Sequence, residues 1–204
     1  MTLQAAYGLF AQGVIVAALI RFVRVLLGRA KSKPHGAELW IPVMLLLAGA
    51  AEGVSFAGHL RGLWGDPSVI SLLILFLFTL QPAWLPGVPR PSTCLALTLL
   101  VALPLYAPLL IPIPAVQGGL YELGYRPWPV LLALTVGWIL LRAFQGTDPR
   151  WTILIGLSLL AYAGRLMESD NLWDYLVDPG LLLAIAFLGF TGIWTSLQRK
   201  RNGI

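Results

Sequence analysis

Long apolar runs alternate with short polar breaks along the whole chain, at about residues 3–27, 38–60, 68–86, 93–115, 128–144, 151–167 and 179–197. Each run is close to the roughly 20 residues that an α-helix needs to cross the hydrocarbon core of a bilayer. In lipid every backbone amide must find its partner inside its own segment, so such runs are helices. The pattern therefore predicts an all-α, polytopic membrane protein: a single transmembrane domain over residues 1–204 built as a seven-helix bundle.

The breaks carry the residues that stop and start helices. Pro34 and Gly36 close the first, and Gly65, Asp66 and Pro67 close the second, with Ser68 placed to cap the third span. Ser92 or Thr93 can cap the fourth span. That span contains Pro104, Pro108, Pro112 and Pro114, each of which removes a backbone donor, so it is expected to kink and to lose regular helix toward its far end.

Composition strengthens the reading, with 58% hydrophobic and 11% charged residues against roughly a quarter charged in soluble domains. The first apolar run lacks a basic leader and a small-residue cleavage site, so it is expected to be a retained span. The net charge of +5 is informative through its placement rather than its size. Arg21, Arg24, Arg29, Lys31, Lys33, Arg90, Arg142, Arg150, Arg199, Lys200 and Arg201 fall on one side of a seven-span chain, and Arg61, Arg126 and Arg165 on the other. By the bias of basic residues toward the cytoplasm, the N-terminus is outside and the C-terminus cytoplasmic. Trp40, Trp64, Trp84, Trp128, Trp151, Trp173 and Trp194 stand near span ends, as interfacial anchors do. The location that follows is multi-pass, in a bacterial inner (plasma) membrane, and nucleic acid is not an expected partner.

Between the last two runs lies a polar island, Gly164 to Gly180, with Glu168, Asp170, Asp174 and Asp178 among the nine acids of the chain. Arg165 stands one helical turn before Glu168, close enough to pair on a helix, and Asp174 and Asp178 are spaced i to i+4. At ~1.5 Å per residue, Glu52 in the second span and Arg165 in the sixth reach one depth, with His59 two turns above Glu52 and Asp178 opening the seventh span. An outward-facing polar pocket lined by Glu52, His59, Arg165, Glu168, Asp174 and Asp178, with Gln12 beside it, follows from that depth. The plainer alternatives are a solvated outer loop for the acids, a helix tie for Glu52 and an interfacial ring for His59.

The remaining chemistry is sparse. Cys94 is the one cysteine, so no internal disulfide or thiolate cluster forms, and it reads as a buried thiol. The two histidines, His35 and His59, are expected on opposite faces, which leaves no bis-histidine haem site and no expected metal or cofactor. No phosphate-binding loop, dinucleotide fingerprint, zinc-protease motif or nucleophile elbow stands in a supporting context. Catalysis is thus the weaker reading.

Three short pieces, in order, resemble the fungal seven-span lipid-translocating exporters of the aminocholesterol-resistance family. They are Glu52, Phe56, His59 and Arg61 in the second span, Gln81, Pro82 and Ala83 in the third, and Arg165, Glu168, Tyr175 and Asp178 around the island. Ser55 stands where that family carries glycine. The resemblance implies an amphiphilic, lipid- or sterol-like ligand whose headgroup meets Glu52, Arg165, Glu168 and Asp178. The function expected is binding or translocation of such a molecule, with membrane lipids as partners. The alternative is a non-catalytic transmembrane subunit packed against other membrane subunits.

Overall fold

A computed structural model of the chain describes residues 2–28, 65–87, 90–102, 105, 121–126, 128–131, 133, 137–138 and 148–201. Among the described residues all regular structure is helical. Helix α1, Leu3–Leu26, is capped by the Thr2 hydroxyl, which accepts from the Ala5 amide, and stops where Gly28 turns left-handed at φ 67°. Helix α2, Val69–Leu80, begins on Ser68, whose hydroxyl accepts from the Ser71 amide. A 3₁₀ turn over Pro82–Trp84 follows it.

Helix α3, Pro91–Leu97, starts on Pro91 itself, and neither Ser92 nor Thr93 caps it. A proline at the first helical position has no amide to leave unsatisfied, so a side-chain cap is dispensable there. The helix then widens into a π turn over Thr98–Ala102, just before Pro104, a residue with no amide hydrogen to offer the preceding turn. Pro104, Pro108, Pro112 and Pro114 themselves lie outside the described residues. Helix α4, Arg150–Ala163, is followed by a short helix α5, Leu172–Leu176, and by α6, Pro179–Arg201.

Hydrogen bonds at the two ends of the molecule set the directions. The Tyr7 hydroxyl donates to the Pro67 carbonyl at 2.8 Å and the Gln12 amide to the Gly65 carbonyl at 3.1 Å, tying the start of α1 to the start of α2. At their other ends the Arg21 guanidinium donates to the Thr79 carbonyl and lies over the Phe78 ring. So α1 and α2 run side by side in the same direction. Helix α4 runs opposite: Arg150 donates to the Ala83 and Leu85 carbonyls at 3.1 and 2.7 Å, and Trp151 to Gly87 at 3.1 Å, beyond the end of α2. Its last turns reach Tyr175 instead, with the rings of Tyr162 and Tyr175 edge-on at 5.2 Å. Helix α6 begins beside Ser68 and ends its contact with α3 where Gly189 meets Cys94 and Leu95 and Gly192 meets Pro91.

Two apolar clusters hold these elements. One joins Tyr7, Ala11 and Val14 of α1 to Val69 and Leu72 of α2, Ala161 of α4 and Tyr175 of α5. The other gathers Ile70, Leu105, Val130, Leu172, Trp173 and Leu176. Trp173 is therefore buried in the core rather than anchored at an interface, because α5 folds inward over the end of the bundle.

Helix α1 and the Pro179–Gln198 stretch of α6 are long and apolar enough to cross a membrane, while α2 and α4 are shorter apolar helices. Their outward faces are apolar: Leu19 and Phe22 on α1, Leu157 and Leu160 on α4, and Leu183, Phe187 and Phe190 on α6 are all exposed. So much apolar surface suits a lipid environment and not water.

Candidate ligand cleft

The chain between α4 and α6 makes the polar end of the molecule, and its local chemistry explains its shape. Gly164 closes α4, and Arg165 follows in the left-handed region at φ 50°. That reversal sends Arg165 into solvent and ends the helix on which it would have paired with Glu168, so the expected one-turn spacing does not exist. The Ser169 hydroxyl then accepts from the Asn171 amide at 3.0 Å. Asn171, completely buried, caps α5 by accepting from the Trp173 amide at 3.0 Å. Its side-chain amide donates to the Tyr121 carbonyl at 3.0 Å, docking the Glu122–Tyr125 turn. Buried polar groups need such partners, and here both ends of the side chain have one.

Tyr175 is the buried centre of α5. Its hydroxyl accepts from the Met167 amide at 3.1 Å and donates to the Met167 carbonyl at 3.3 Å. Burial pushes its phenol above the ordinary tyrosine range, against a smaller lowering by the Met167 backbone bond, so the neutral form that makes both bonds is favoured.

Asp174 and Asp178 sit on either side of the extended residue Val177, so they do not share a helical face; α5 ends at Leu176. They nevertheless face one cleft. Asp174 accepts from the Tyr121 hydroxyl, at 2.9 and 3.1 Å to its two oxygens, and from the Ser169 hydroxyl. Asp178 accepts from the Ser68 amide at 3.0 Å, from the Ser71 hydroxyl and from the Leu181 amide at 2.9 Å.

Around them lies a cleft of about 310 Å³ walled by the carboxylates of Asp66, Glu168, Asp174 and Asp178. Tyr121 and Ser169 add hydroxyls, and Met167, Val177 and Pro179 supply the apolar part. The volume is at the small end of ligand sites. Among the described residues no three His, Cys, Asp or Glu side chains converge closely enough to hold a metal ion. Among the described residues the sum of charges at this end is negative, with Asp66, Glu122, Glu168, Asp170, Asp174 and Asp178 against Arg126 and Arg165. The opposite end carries Arg21, Arg24, Arg90 and Arg150, with Asp148 paired to Arg150 at 3.8 Å.

Of the residues expected from sequence, Glu168, Asp174 and Asp178 line the cleft, and Arg165 does not. Asp170 is exposed and offers its carbonyl to Tyr162 at 3.4 Å. Gln12 is buried and holds the Gly65 carbonyl. Glu52 and His59 lie outside the described residues, as do Ser55, Phe56 and Arg61. Asp66 and Tyr121 were not expected there. Asp66 reads in sequence as turn chemistry, and Tyr121 as part of a loop; only the glycines beside Tyr121 hint at close approach. Gln81, Pro82 and Ala83 sit at the far end, where Ala83 receives the Arg150 guanidinium.

Compared with protein-family models, with curated proteins and with solved structures, the chain matches none. The class these observations define is an all-helical, strongly apolar protein, two of whose described helices are long and apolar enough to cross a membrane.

Proposed function

We propose that this is a seven-span protein of a bacterial inner (plasma) membrane, N-terminus outside and C-terminus cytoplasmic, that binds or translocates an amphiphile with a cationic or zwitterionic headgroup. The observation that carries the reading is the cleft itself: four acidic residues, Asp66, Glu168, Asp174 and Asp178, line it together with Met167, Val177 and Pro179. A quaternary or primary ammonium headgroup meets the acids, and its chain follows the apolar wall toward lipid. The opposite, arginine-rich end is the cytoplasmic one by the distribution of basic residues. Glu52 and His59 stay in this proposal as further pocket residues by their depth along the second span. Arg165 acts from the rim. The resemblance to the lipid-translocating exporters points to the same ligand class.

Calorimetry on the full chain in nanodiscs tests the headgroup chemistry. Decyltrimethylammonium should bind at least tenfold more tightly than decyl maltoside, and Asp66→Asn with Glu168→Gln should abolish the preference. Equal binding of both amphiphiles refutes the reading. A second function draws on the exposed face of α6, where Leu183, Phe187 and Phe190 offer a flank for a neighbouring subunit. Co-purification in fixed ratio with other membrane proteins, with no amphiphile bound, would favour that non-catalytic role.

A further inference from the structure

The carboxylate of Asp178 is a wall of the cleft and also the tie between two helix starts. It accepts from the Ser68 amide and the Ser71 hydroxyl at the head of α2, and from the Leu181 amide at the head of α6. Each of those helix starts carries roughly half a positive charge from its aligned peptides. One negative carboxylate therefore holds together two ends that otherwise repel. Of its ~4 acceptor positions, three serve these donors. Further along, α6 is seated by Gly189 on Cys94 and Leu95, and by Gly192 on Pro91. At these two glycines α6 packs directly on α3.

We propose that Asp178 is a latch through which occupancy of the cleft loosens the junction of α2 and α6; it rests on the cation-site reading of the cleft. A cation beside Asp178 cancels the field that binds both helix starts and competes for the same oxygens. The Ser68 and Leu181 bonds weaken together, and the head of α6 swings about its Gly189 and Gly192 seat. That motion opens the cleft sideways between α2 and α6.

Hydrogen exchange read by mass spectrometry on the full chain in nanodiscs tests the latch, with decyltrimethylammonium as probe and calorimetry on the same sample. On binding, segments 66–72 and 178–184 should both exchange about tenfold faster, the loss of one charge-assisted bond, while α1 stays protected. Asp178→Asn should show the faster exchange in both segments without probe, and the probe should add nothing. Binding heat with exchange unchanged, slowed or raised in one segment only overturns the latch and leaves the cation site standing. Further acceleration by the probe in the Asn variant overturns it as well. No binding heat in the unaltered protein removes the cation site and the latch with it.

Discussion

Gly124 stands so close to Asn171 that a Cβ on the glycine would lie 1.7 Å from the Asn171 Oδ1 and 2.7 Å from the Trp173 Cδ1. Asn171 is buried and hydrogen-bonded at both ends of its side chain, so moving it aside would break those bonds. Gly124→Ala should therefore undock the Glu122–Tyr125 turn and cost about 1–3 kcal/mol by overpacking. Thermal unfolding in mild detergent reads the loss, and an unchanged melting temperature would show that the turn does not dock on α5.

The seat of α6 on α3 gives a second contrast within the glycines. A Cβ at Gly192 would meet Pro91 at 2.4 Å, whereas no described residue lies within 4 Å of one at Gly156. Gly192→Leu should lower stability and loosen α6. Gly156→Ala, in the middle of α4, should raise stability by roughly 0.5–1 kcal/mol through backbone entropy and helix propensity. Equal melting shifts for the two would contradict the crossing.

Alkaline stability follows from Tyr175. Burial raises its phenol above the ordinary tyrosine range, so the folded chain keeps a proton that the unfolded chain gives up. That contribution is complete below pH ~10 and is lost as pH rises through the folded value. Denaturant midpoints measured from pH 8 upward should fall beyond about pH 10 in the unaltered protein, and less steeply in Tyr175→Phe. The variant should also be less stable at neutral pH by about 1–3 kcal/mol, because the Met167 amide and carbonyl lose their partner. Identical slopes would remove Tyr175 from the account.

Orientation is testable with one added thiol. In a Cys94→Ala background, a cysteine replacing the exposed Asp170 should react with an impermeant maleimide added outside intact cells. A cysteine replacing Lys31 should react only after permeabilisation. The reverse pattern would invert the proposed topology.

Much of the framework is legible in the order of residues because it depends on neighbours in sequence. The first helix, expected over 3–27, is observed over Leu3–Leu26, and Ser68 and Asp178 mark helix starts where expected, since caps and breakers act within one turn. The segregation of acids and bases to opposite ends is likewise a property of spacing along helices.

What the tertiary structure decided is the company each polar residue keeps. Tyr121 meets Asp174 across 53 residues and Asp178 meets Ser68 across 110, separations over which no periodicity in the chain carries information. The left-handed turn at Arg165 overrode the helical spacing to Glu168, because a single backbone reversal moves a side chain farther than any pattern of residue types records. Composition and periodicity thus determined that the chain is an apolar helical bundle with an acidic end. Packing alone, through the buried Asn171 and the inward fold of α5, determined which of those acids face a common space and which face water.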